Sequence, residues 1–333
     1  AHHDGDGIAW PASLAPYDVH LVALGASRDA EVGVEADALF DELRAADPPI
    51  PGGELEEGLA FLEWVHDNNF TLLGVRDYTF EQKNGEDFLA IDAASGLGVL
   101  REISVESAQR HKAALPREAA DFARRKELLI ITKANTRSTV HRNVYMDYIG
   151  VRRFDKKGNV TGERRFIGLL TSSAYNRNPR DIPLLRHKVD RVLERSRFAS
   201  GSHNSKAMLN ILETYPRDEL FQISTDQLFE IAHGILHLEE RQRIRLFVRR
   251  DSYARFYSCL VYVPRERYST SLRQRIEEVL LAAFRGEAAE FTTQVSNQPM
   301  ARIHYILRAP RGAEVDFDVH QIEERLVVAS RDW

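Results

Sequence analysis

The chain has 333 residues, of which 43% are hydrophobic and 29% are charged, and its formal net charge is −5. This composition is typical of a soluble globular protein with room for two domains, and the acidic balance excludes a global basic field for nucleic acid or an anionic membrane. No apolar run approaches the ~20 residues of a membrane span, and no signal peptide is visible. The single cysteine, Cys259, cannot form an intrachain disulfide, which favours a reducing cytoplasm.

Residues 1–53 carry the weakest pattern in the chain. Apolar residues predict a short strand at 19–24 and a helix at 35–46, which a linker rich in Pro and Gly at 47–53 ends. We interpret His2 and His3 as residues of an added tag. Since the chain begins without Met and ends inside a predicted helix, we expect a fragment of a longer protein.

Residues 54–175 predict an antiparallel sheet of about five strands, with helices before it and within it. An amphipathic helix is predicted at 54–66, with Leu55, Leu59, Leu62 and Val65 on its apolar face. Strands are predicted at 70–80, 88–92, 99–103 and 128–133. Between them lie a predicted helix at 104–125, which Pro116 interrupts, and a polar loop at 134–142.

The strongest strand signal is a predicted β-hairpin that completes this unit. Its arms are residues 145–154 and 165–171, and they flank the turn Asp-Lys-Lys-Gly-Asn, in which Gly158 and Asn159 are expected at positive φ. Alternation along the first arm predicts two faces: Ile149, Val151 and Arg153 on one, and Tyr148, Gly150 and Arg152 on the other. The continuous apolar run 166–170 predicts a strand that is buried on both faces.

Residues 176–222 predict a helical connector. Its helices are expected at 182–197, with Pro183 in the first turn, and at 205–215, where Pro216 ends the second helix. Residues 223–312 predict a second unit, which Ser224 and Gln227 open as a capping box. Its predicted elements are a helix at 225–238, strands at 243–250 and 256–263, a helix at 271–284, and strands at 290–295 and 302–308. Residues 313–333 begin a further helix near Asp318.

The order α-β-β-α-β-β of the second unit is a cyclic shift of the β-α-β-β-α-β order of ferredoxin-like folds, which include amino-acid-sensing ACT domains. The whole chain is therefore predicted as an α+β protein, with two antiparallel-sheet units joined by a helical connector.

Motifs for catalysis, cofactors or metals are weak throughout. His233 and His237 have the i, i+4 spacing of a zinc helix but lack the Glu of HExxH, and Cys259 has no CxxC partner. The run Ser95-Gly96-Leu97-Gly98 lacks the third glycine of a dinucleotide loop and predicts a turn. No GxSxG and no Walker A sequence occurs. We therefore predict no catalytic, cofactor-binding or metal-ligating residue.

Arginine doublets are the most informative polar feature. They comprise Arg152, Arg153, Arg164 and Arg165 on the hairpin and Arg249 and Arg250 at the end of another predicted strand. One interpretation is a set of solvated strand edges that discourage aggregation. Another is a docking face for carboxylates of a partner subunit or an amino-acid effector. A third is RNA binding, in which Tyr148 and Phe154 stack on bases, although no RNP-type motif surrounds them.

Several long strings resemble the N-terminal region of the large NAD-dependent glutamate dehydrogenases of bacteria. They are MDYIGVRRFDKKGNVTGERRFIGLLTSSAYNRNPRDIPLLRHKVDRVLERS, SHNSKAMLNILETYPRDELFQIS and RIRLFVRRDSYARFYSCLVYVPRERYST, with NNFTLLGVRDY and SGLGVLRE fitting the same pattern. The resemblance covers roughly residues 56–312, and residues 1–55 match that family much less clearly.

In that family the N-terminal region is non-catalytic and contains ACT-like domains, a PAS-like domain and helical motifs. The resemblance implies a PAS-like unit at 54–175, an ACT-like unit at 223–312, and a regulatory and oligomerisation role for this chain. NAD would bind elsewhere in the parent enzyme, which would convert L-glutamate, NAD⁺ and water to 2-oxoglutarate, ammonium and NADH. Expected partners are other subunits, the C-terminal catalytic region and an amino-acid effector. A free-standing sensor of a small ligand remains the alternative.

Overall fold

The computed structural model describes residues 2–4, 7–9, 50–103, 114–238, 242–253, 255–308 and 315–331. The predicted strand 19–24, the predicted helix 35–46 and residues 104–113 of the predicted helix 104–125 lie outside these residues. Near the N-terminus, β1 (His2–Asp4) pairs antiparallel with β2 (Gly7–Ala9).

The first unit is built on an antiparallel sheet, as its apolar runs predict, with six strands where about five were predicted. Helix α1 (Gly52–Trp64) begins inside the predicted linker and continues into a π-helical turn (Val65–Asn69). The remaining elements are β3 (Phe70–Lys83), β4 (Glu86–Ile91), β5 (Leu97–Gly98), α2 (Arg117–Ala123), β6 (Leu129–Arg137), β7 (Tyr145–Phe154) and β8 (Val160–Leu170). The strand order is β4-β3-β8-β7-β6, and β5 pairs with β3.

The predicted hairpin is β7 and β8, which lie in the interior of this sheet. Gly158 has a φ of +77°, as expected, but the expected positive φ of Asn159 is wrong. Instead, the Asp155 carboxylate closes the turn by accepting hydrogen bonds from the Asn159 amide and side chain. The second arm begins at Val160, five residues before the predicted start, because Val160 pairs with Phe154.

Two further strand boundaries differ from the prediction. The predicted strand 99–103 is wrong, since only Leu97–Gly98 pairs with β3, and the Leu100 amide turns back to the Leu97 carbonyl at 3.2 Å. Gly98 has a φ of +59°, which breaks the extended run. β6 extends to Arg137 into the predicted polar loop, with a register shift after Lys133.

A β-bulge interrupts the pairing of β3 with β8 between Leu72 and Gly74. Opposite it, Gly168 lies so close to β3 that an added Cβ would be 2.0 Å from the Thr71 carbonyl oxygen. The bulge adds one residue to β3, so Phe70 and Leu72 before it and Val75 after it all contribute to the same core.

The connector forms a layer of five helices. They are α3 (Ser172–Asn176), α4 (Leu185–Ser196), α5 (His203–Thr214), α6 (Arg217–Gln222) and α7 (Thr225–Leu236). α4 begins after Pro183 rather than around it, because Leu184 has a φ of +69° and cannot continue a helix. The predicted cap of α7 is confirmed, since the Ser224 hydroxyl accepts from the Gln227 amide at 3.2 Å. α6 was not predicted.

The elements predicted for 223–312 follow one another along the chain as expected, but the first of them, α7, packs with the connector helices in the main core. The second unit contains β9 (Arg245–Arg250), β10 (Phe256–Pro264), α8 (Thr270–Phe284), β11 (Ala288–Gln294), β12 (Met300–Arg308) and α9 (Val319–Ala329), and α9 begins after the expected Asp318. From β9 onward the order of this unit is therefore β-β-α-β-β-α rather than the predicted α-β-β-α-β-β. Its antiparallel sheet has the order β11-β12-β10-β9. α8 and α9 pack on one face, around Cys259, Ile276 and Leu326.

The largest hydrophobic core joins the two sheets through the helical layer. It contains Ile149 and Phe166 of the first sheet, Val189 and Leu212 of the connector, and Leu260 of the second sheet. A smaller cluster, which includes Met146 and Ile167, covers the opposite face of the first sheet. Strand β8 is therefore buried on both faces, as its apolar run predicts.

We expect Gly168→Ala to lower the free energy of unfolding by about 2–4 kcal/mol. The reason is that its new methyl group overlaps the Thr71 carbonyl oxygen and the Phe70 ring. Gly52→Ala is the matched control, since no atom lies within 4 Å of a Cβ there, and it should leave stability unchanged or raise it by up to about 1 kcal/mol. Urea unfolding measures both, and equal stability of the two variants would contradict the overlap.

Candidate functional site

The hairpin arginines are divided between the two faces of the first sheet, as their alternation predicts. Arg152 and Arg165 approach the buried carboxylate of Glu163 on one face. Arg153 and Arg164 pair with Asp77 on the other face. Because these strands have neighbours on both sides, the interpretation as solvated strand edges is wrong for the hairpin.

Arg152 is the most deeply buried of these arginines, with 2% of its surface exposed. It donates to the Phe122 carbonyl oxygen at 2.9 Å and lies over the Phe80 ring. Arg165 lies between the rings of Tyr78 and Tyr148. Burial disfavours ionised Glu163, but the charge of Arg165, a hydrogen bond from Tyr148 and the charge of Arg152 together hold its pKa below the usual value.

Arg164 and Arg153 share one carboxylate. Arg164 donates to both oxygens of Asp77, at 2.8 and 2.9 Å, and Arg153 donates at 3.2 Å. Arg153 has 46% of its side chain exposed, so it can still meet a partner. Of the two aromatic residues in the RNA interpretation, Tyr148 is buried and cannot stack on a base, whereas Phe154 is half-buried.

Arg249 and Arg250 differ in their burial. Arg249 is buried and forms an ion pair with Glu219, with Nη2 and Oε2 3.0 Å apart. Arg250 is half-buried at the end of β9. Five of the six predicted arginines are therefore divided among three carboxylates, those of Glu163, Asp77 and Glu219, and they form no continuous arginine face.

A pair of adjacent carboxylates on the short helix α6 links the two sheets. Asp218 bonds to groups of the first unit, and Glu219 bonds to groups of the second sheet. No sequence pattern predicted a role for this stretch. The signal that the sequence does carry is the pair of acidic residues directly before the apolar residues Leu220 and Phe221.

Asp218 lies in a half-buried polar group with Lys133 and Tyr175. Lys133 Nζ lies 3.0 Å from Asp218 and 2.6 Å from Asp147, and the Tyr175 hydroxyl donates to Asp218 at 2.7 Å. Asp147 also accepts from the Leu170 amide at 2.9 Å. Burial alone would lower the pKa of Lys133, but the charges of Asp147 and Asp218 raise it well above its usual value.

Glu219 lies in a second buried group with Arg249 and His304. The His304 Nε2 is 2.9 Å from the Ser258 hydroxyl and 3.9 Å from Glu219. Burial is the main cause that lowers the pKa of His304 to about 4, against the opposing charge of Glu219. The ring is therefore neutral at neutral pH.

Two side chains complete the surroundings of α6. Lys188 of α4 donates to the carbonyl oxygens of Leu220, Phe221 and Ile223 at 2.7–3.2 Å, and so satisfies the C-terminal end of the helix. Burial lowers the pKa of Lys188 to about 7. The Gln222 side-chain oxygen accepts from Thr132 of the first sheet at 3.1 Å and from Arg249 of the second at 3.3 Å.

The loop after β9 makes a second link between the units. Asp251 accepts from the Thr132 hydroxyl at 3.0 Å and from Arg255 at 2.7 Å. Tyr253 packs edge to face on Phe122, with ring centroids 5.0 Å apart. The contacts of the first sheet with the second unit are therefore polar as well as apolar.

A cleft of about 290 Å³ opens beside α6, between the connector and the edge of the second sheet. Its lining includes Tyr215 and Arg217 from the connector and Thr292, Thr293 and Arg302 from the sheet. Arg217 is buried, and two of its guanidinium nitrogens, Nε and Nη1, have no acceptor among the described residues. The cleft therefore brings together Arg217, with its unused donors, and the side chain of Arg302.

Other groups offer little chemistry. His233 and His237 lie edge to face with ring centroids 4.7 Å apart, and within the described ranges no three His, Cys, Asp or Glu side chains are arranged to hold a metal. Burial raises the pKa of the Cys259 thiol. Across the part of the chain that the structure describes, no helix has the length and apolar character to cross a membrane.

Two family models match the chain. Residues 245–333 match the glutamate dehydrogenase ACT2 domain, and residues 182–241 match the glutamate dehydrogenase helical motif 1. The first match covers the second sheet with α9, and the second covers α4 to α7.

Individual relatives agree with these models. The NAD-specific glutamate dehydrogenases of Halomonas elongata and Pseudomonas aeruginosa are 39% and 38% identical over 300 and 299 residues, 90% of this chain in each case. The chain spans only 19% and 18% of their length. A local match of another kind is to the proline–tRNA ligase of Thiobacillus denitrificans, 50% identical over 44 residues, which are 13% of this chain and 8% of that protein.

We expect Glu219→Gln to lower the free energy of unfolding by about 3–5 kcal/mol, because it leaves Arg249 buried without its counter-charge. The double variant Glu219→Leu, Arg249→Met removes both charges and should recover most of that loss. Urea unfolding of Glu219→Leu, of Arg249→Met and of the double variant gives the coupling energy.

The matched control for this cycle is the exposed pair of Arg180 and Asp190, whose side chains are 51% and 47% exposed. Arg180→Met should change stability by about 0.5 kcal/mol or less. If Glu219→Gln were as mild as Arg180→Met, the link through α6 would contribute little to the fold.

Stability should fall as the pH falls from about 6.5 to about 4, in part because of His304. In this window the unfolded chain binds a proton on this ring that the folded chain does not, since the folded pKa is about 4. Between pH 7 and pH 5, the free energy of unfolding should therefore fall by on the order of 2 kcal/mol less in His304→Gln than in wild type. Urea midpoints at several pH values measure the difference, and parallel profiles would show that His304 titrates normally.

Proposed function

Because this chain belongs to the NAD-specific glutamate dehydrogenase family and spans about a fifth of its relatives, we propose that it is a regulatory and assembly segment of such an enzyme. The proposed parent enzyme converts L-glutamate, NAD⁺ and water to 2-oxoglutarate, ammonium and NADH. The segment itself does not catalyse this reaction, and NAD binds elsewhere in the parent chain. Its proposed location is the cytoplasm.

The proposed units are a PAS-like first sheet and an ACT-like second sheet. The order β9-β10-β12-β11 supports the second assignment. If β9 takes the place of the last strand, this is the ferredoxin-like order with the chain cyclically shifted. α9 then takes the place of the second helix, and its Glu323 accepts from the Leu246 amide at 2.8 Å.

The observation that carries this proposal is the position of Asp218 and Glu219 on α6. A shift of the second sheet relative to the first would separate Glu219 from Arg249 and leave a buried charge unpaired. It would also break the half-buried pair of Asp218 and Lys133. The two sheets are therefore expected to respond together, through α6, when a ligand or a neighbouring subunit contacts either of them.

Subunit contacts are proposed at groups that remain accessible. Arg153 keeps much of its side chain in solvent, and β11 is an edge strand that exposes Phe291. An open strand edge with an exposed aromatic residue is a common site of association. Other subunits and the C-terminal catalytic region are the proposed partners.

We expect the purified chain to show no glutamate-dependent formation of NADH at 340 nm, whereas the full-length enzyme shows it. The reason is that the only candidate glycine-rich run in the sequence, Ser95-Gly96-Leu97-Gly98, lacks the third glycine of a dinucleotide loop, and the chain spans only about a fifth of the length of its relatives. Glutamate-dependent NADH formation by this chain would contradict the proposal.

In the full-length enzyme, we expect Glu219→Gln to change the oligomer mass or the cooperativity for L-glutamate, while kcat per catalytic site stays within about twofold. Static light scattering and steady-state kinetics measure these quantities, and Arg180→Met serves as the control that changes neither. A folded Glu219→Gln enzyme with wild-type mass and cooperativity would contradict a regulatory role for α6.

A further inference from the structure

We propose that the cleft beside α6 binds a small carboxylate, either an amino acid or a 2-oxo acid. This deepens the regulatory role proposed above and rests on it for the choice of probes. The occupant would contact the side chain of Arg217 and that of Arg302.

Arg217 is the first reason. Its side chain is 7% exposed, and only Nη2 has a partner, the Arg177 carbonyl oxygen at 2.7 Å. Nε and Nη1, which carry three N–H groups between them, have no acceptor among the described residues. A buried guanidinium with unused donors is stabilised by an anion that enters the cleft.

Arg302 is the second reason. Its Nη1 donates to the Thr214 carbonyl oxygen at 2.8 Å, which holds the side chain at the wall of the cleft. The only carboxylate among the lining residues is Glu213, and it already accepts from Asn178 at 2.7 Å. Two arginines against one glutamate leave the lining with an excess positive charge.

The size and the remaining polar groups limit the ligand. A volume of about 290 Å³ is at the lower end of small-molecule sites, so the cleft accommodates an amino acid and not a dinucleotide. The hydroxyl of Tyr215 is buried and unpartnered among the described residues. Thr292 and Thr293 add two more hydroxyls, which suit the second polar end of an amino acid or a 2-oxo acid.

The cleft is connected to the link between the sheets by covalent neighbours. Arg217 directly precedes Asp218 and Glu219, whose partners lie on different sheets. An anion that binds to Arg217 therefore contacts α6, the helix that holds both ion pairs. An anion that binds one arrangement of the two sheets more tightly than another would shift the population toward that arrangement.

The test is calorimetric titration of this 333-residue chain with L-glutamate, 2-oxoglutarate and inorganic phosphate at fixed ionic strength. Saturable binding of L-glutamate or 2-oxoglutarate is expected. The one that binds more tightly shows whether the ligand is an amino acid or a 2-oxo acid. Arg217→Met should weaken it at least tenfold, which corresponds to about 1.4 kcal/mol. Arg302→Gln, at a half-buried position, should weaken it too and provides the test if Arg217→Met does not fold.

The matched control is Arg191→Gln on the exposed face of α4, which should bind like wild type. Absence of saturable binding of both carboxylates, equal or tighter binding of phosphate, or unchanged affinity in folded Arg217→Met and Arg302→Gln would overturn the inference. If binding fails while Glu219→Gln still alters the full-length enzyme, only the assignment of the cleft is wrong. If binding holds and Glu219→Gln has no effect, the cleft stands and the role of α6 fails.

Discussion

Two neighbouring carboxylates with partners on different sheets are the constraint on which the rest of this structure depends. Consecutive helical residues point in directions about 100° apart, so one short helix can present Asp218 to Lys133 and Glu219 to Arg249 at once. Glu219 and Arg249 are buried, and Asp218 and Lys133 are half-buried. Each charge is acceptable only while its partner stays in place, which determines how the two sheets are placed relative to each other.

Helix α6 has six residues, far fewer than an isolated helix needs in water. Its conformation therefore comes from its surroundings. Lys188 satisfies its last carbonyl groups, and Leu220 and Phe221 bury its apolar side in the main core. The same few residues carry the packing of the connector, the ionic contacts of both sheets and one wall of the cleft.

Most of the regular elements could be predicted from the sequence, because hydrophobic periodicity is a local signal. The hairpin and the succession of elements from α7 to β12 follow from this periodicity, and the cap at Ser224 follows from the capping-box pattern. α6 could not be predicted, since six residues with two acids give no period. The partners of the arginines could not be predicted either, since Arg164 pairs with Asp77, which lies 87 positions away. Likewise, Arg217 and Arg302 line the same cleft because the fold brings α6 and β12 together.

The bulge at Leu72 and Gly74 has a consequence for how this region can vary among related chains. Residues of a strand alternate between faces, so one extra residue reverses the parity of all that follow. Beyond the bulge, Val75 faces the main core and Asp77 faces Arg153 and Arg164. Loss of one residue there would turn Arg76 and Tyr78 toward the main core instead. Deletions within 72–74 should therefore be absent from functional relatives unless a compensating insertion follows, and a larger residue opposite the bulge should occur only where the bulge itself is missing.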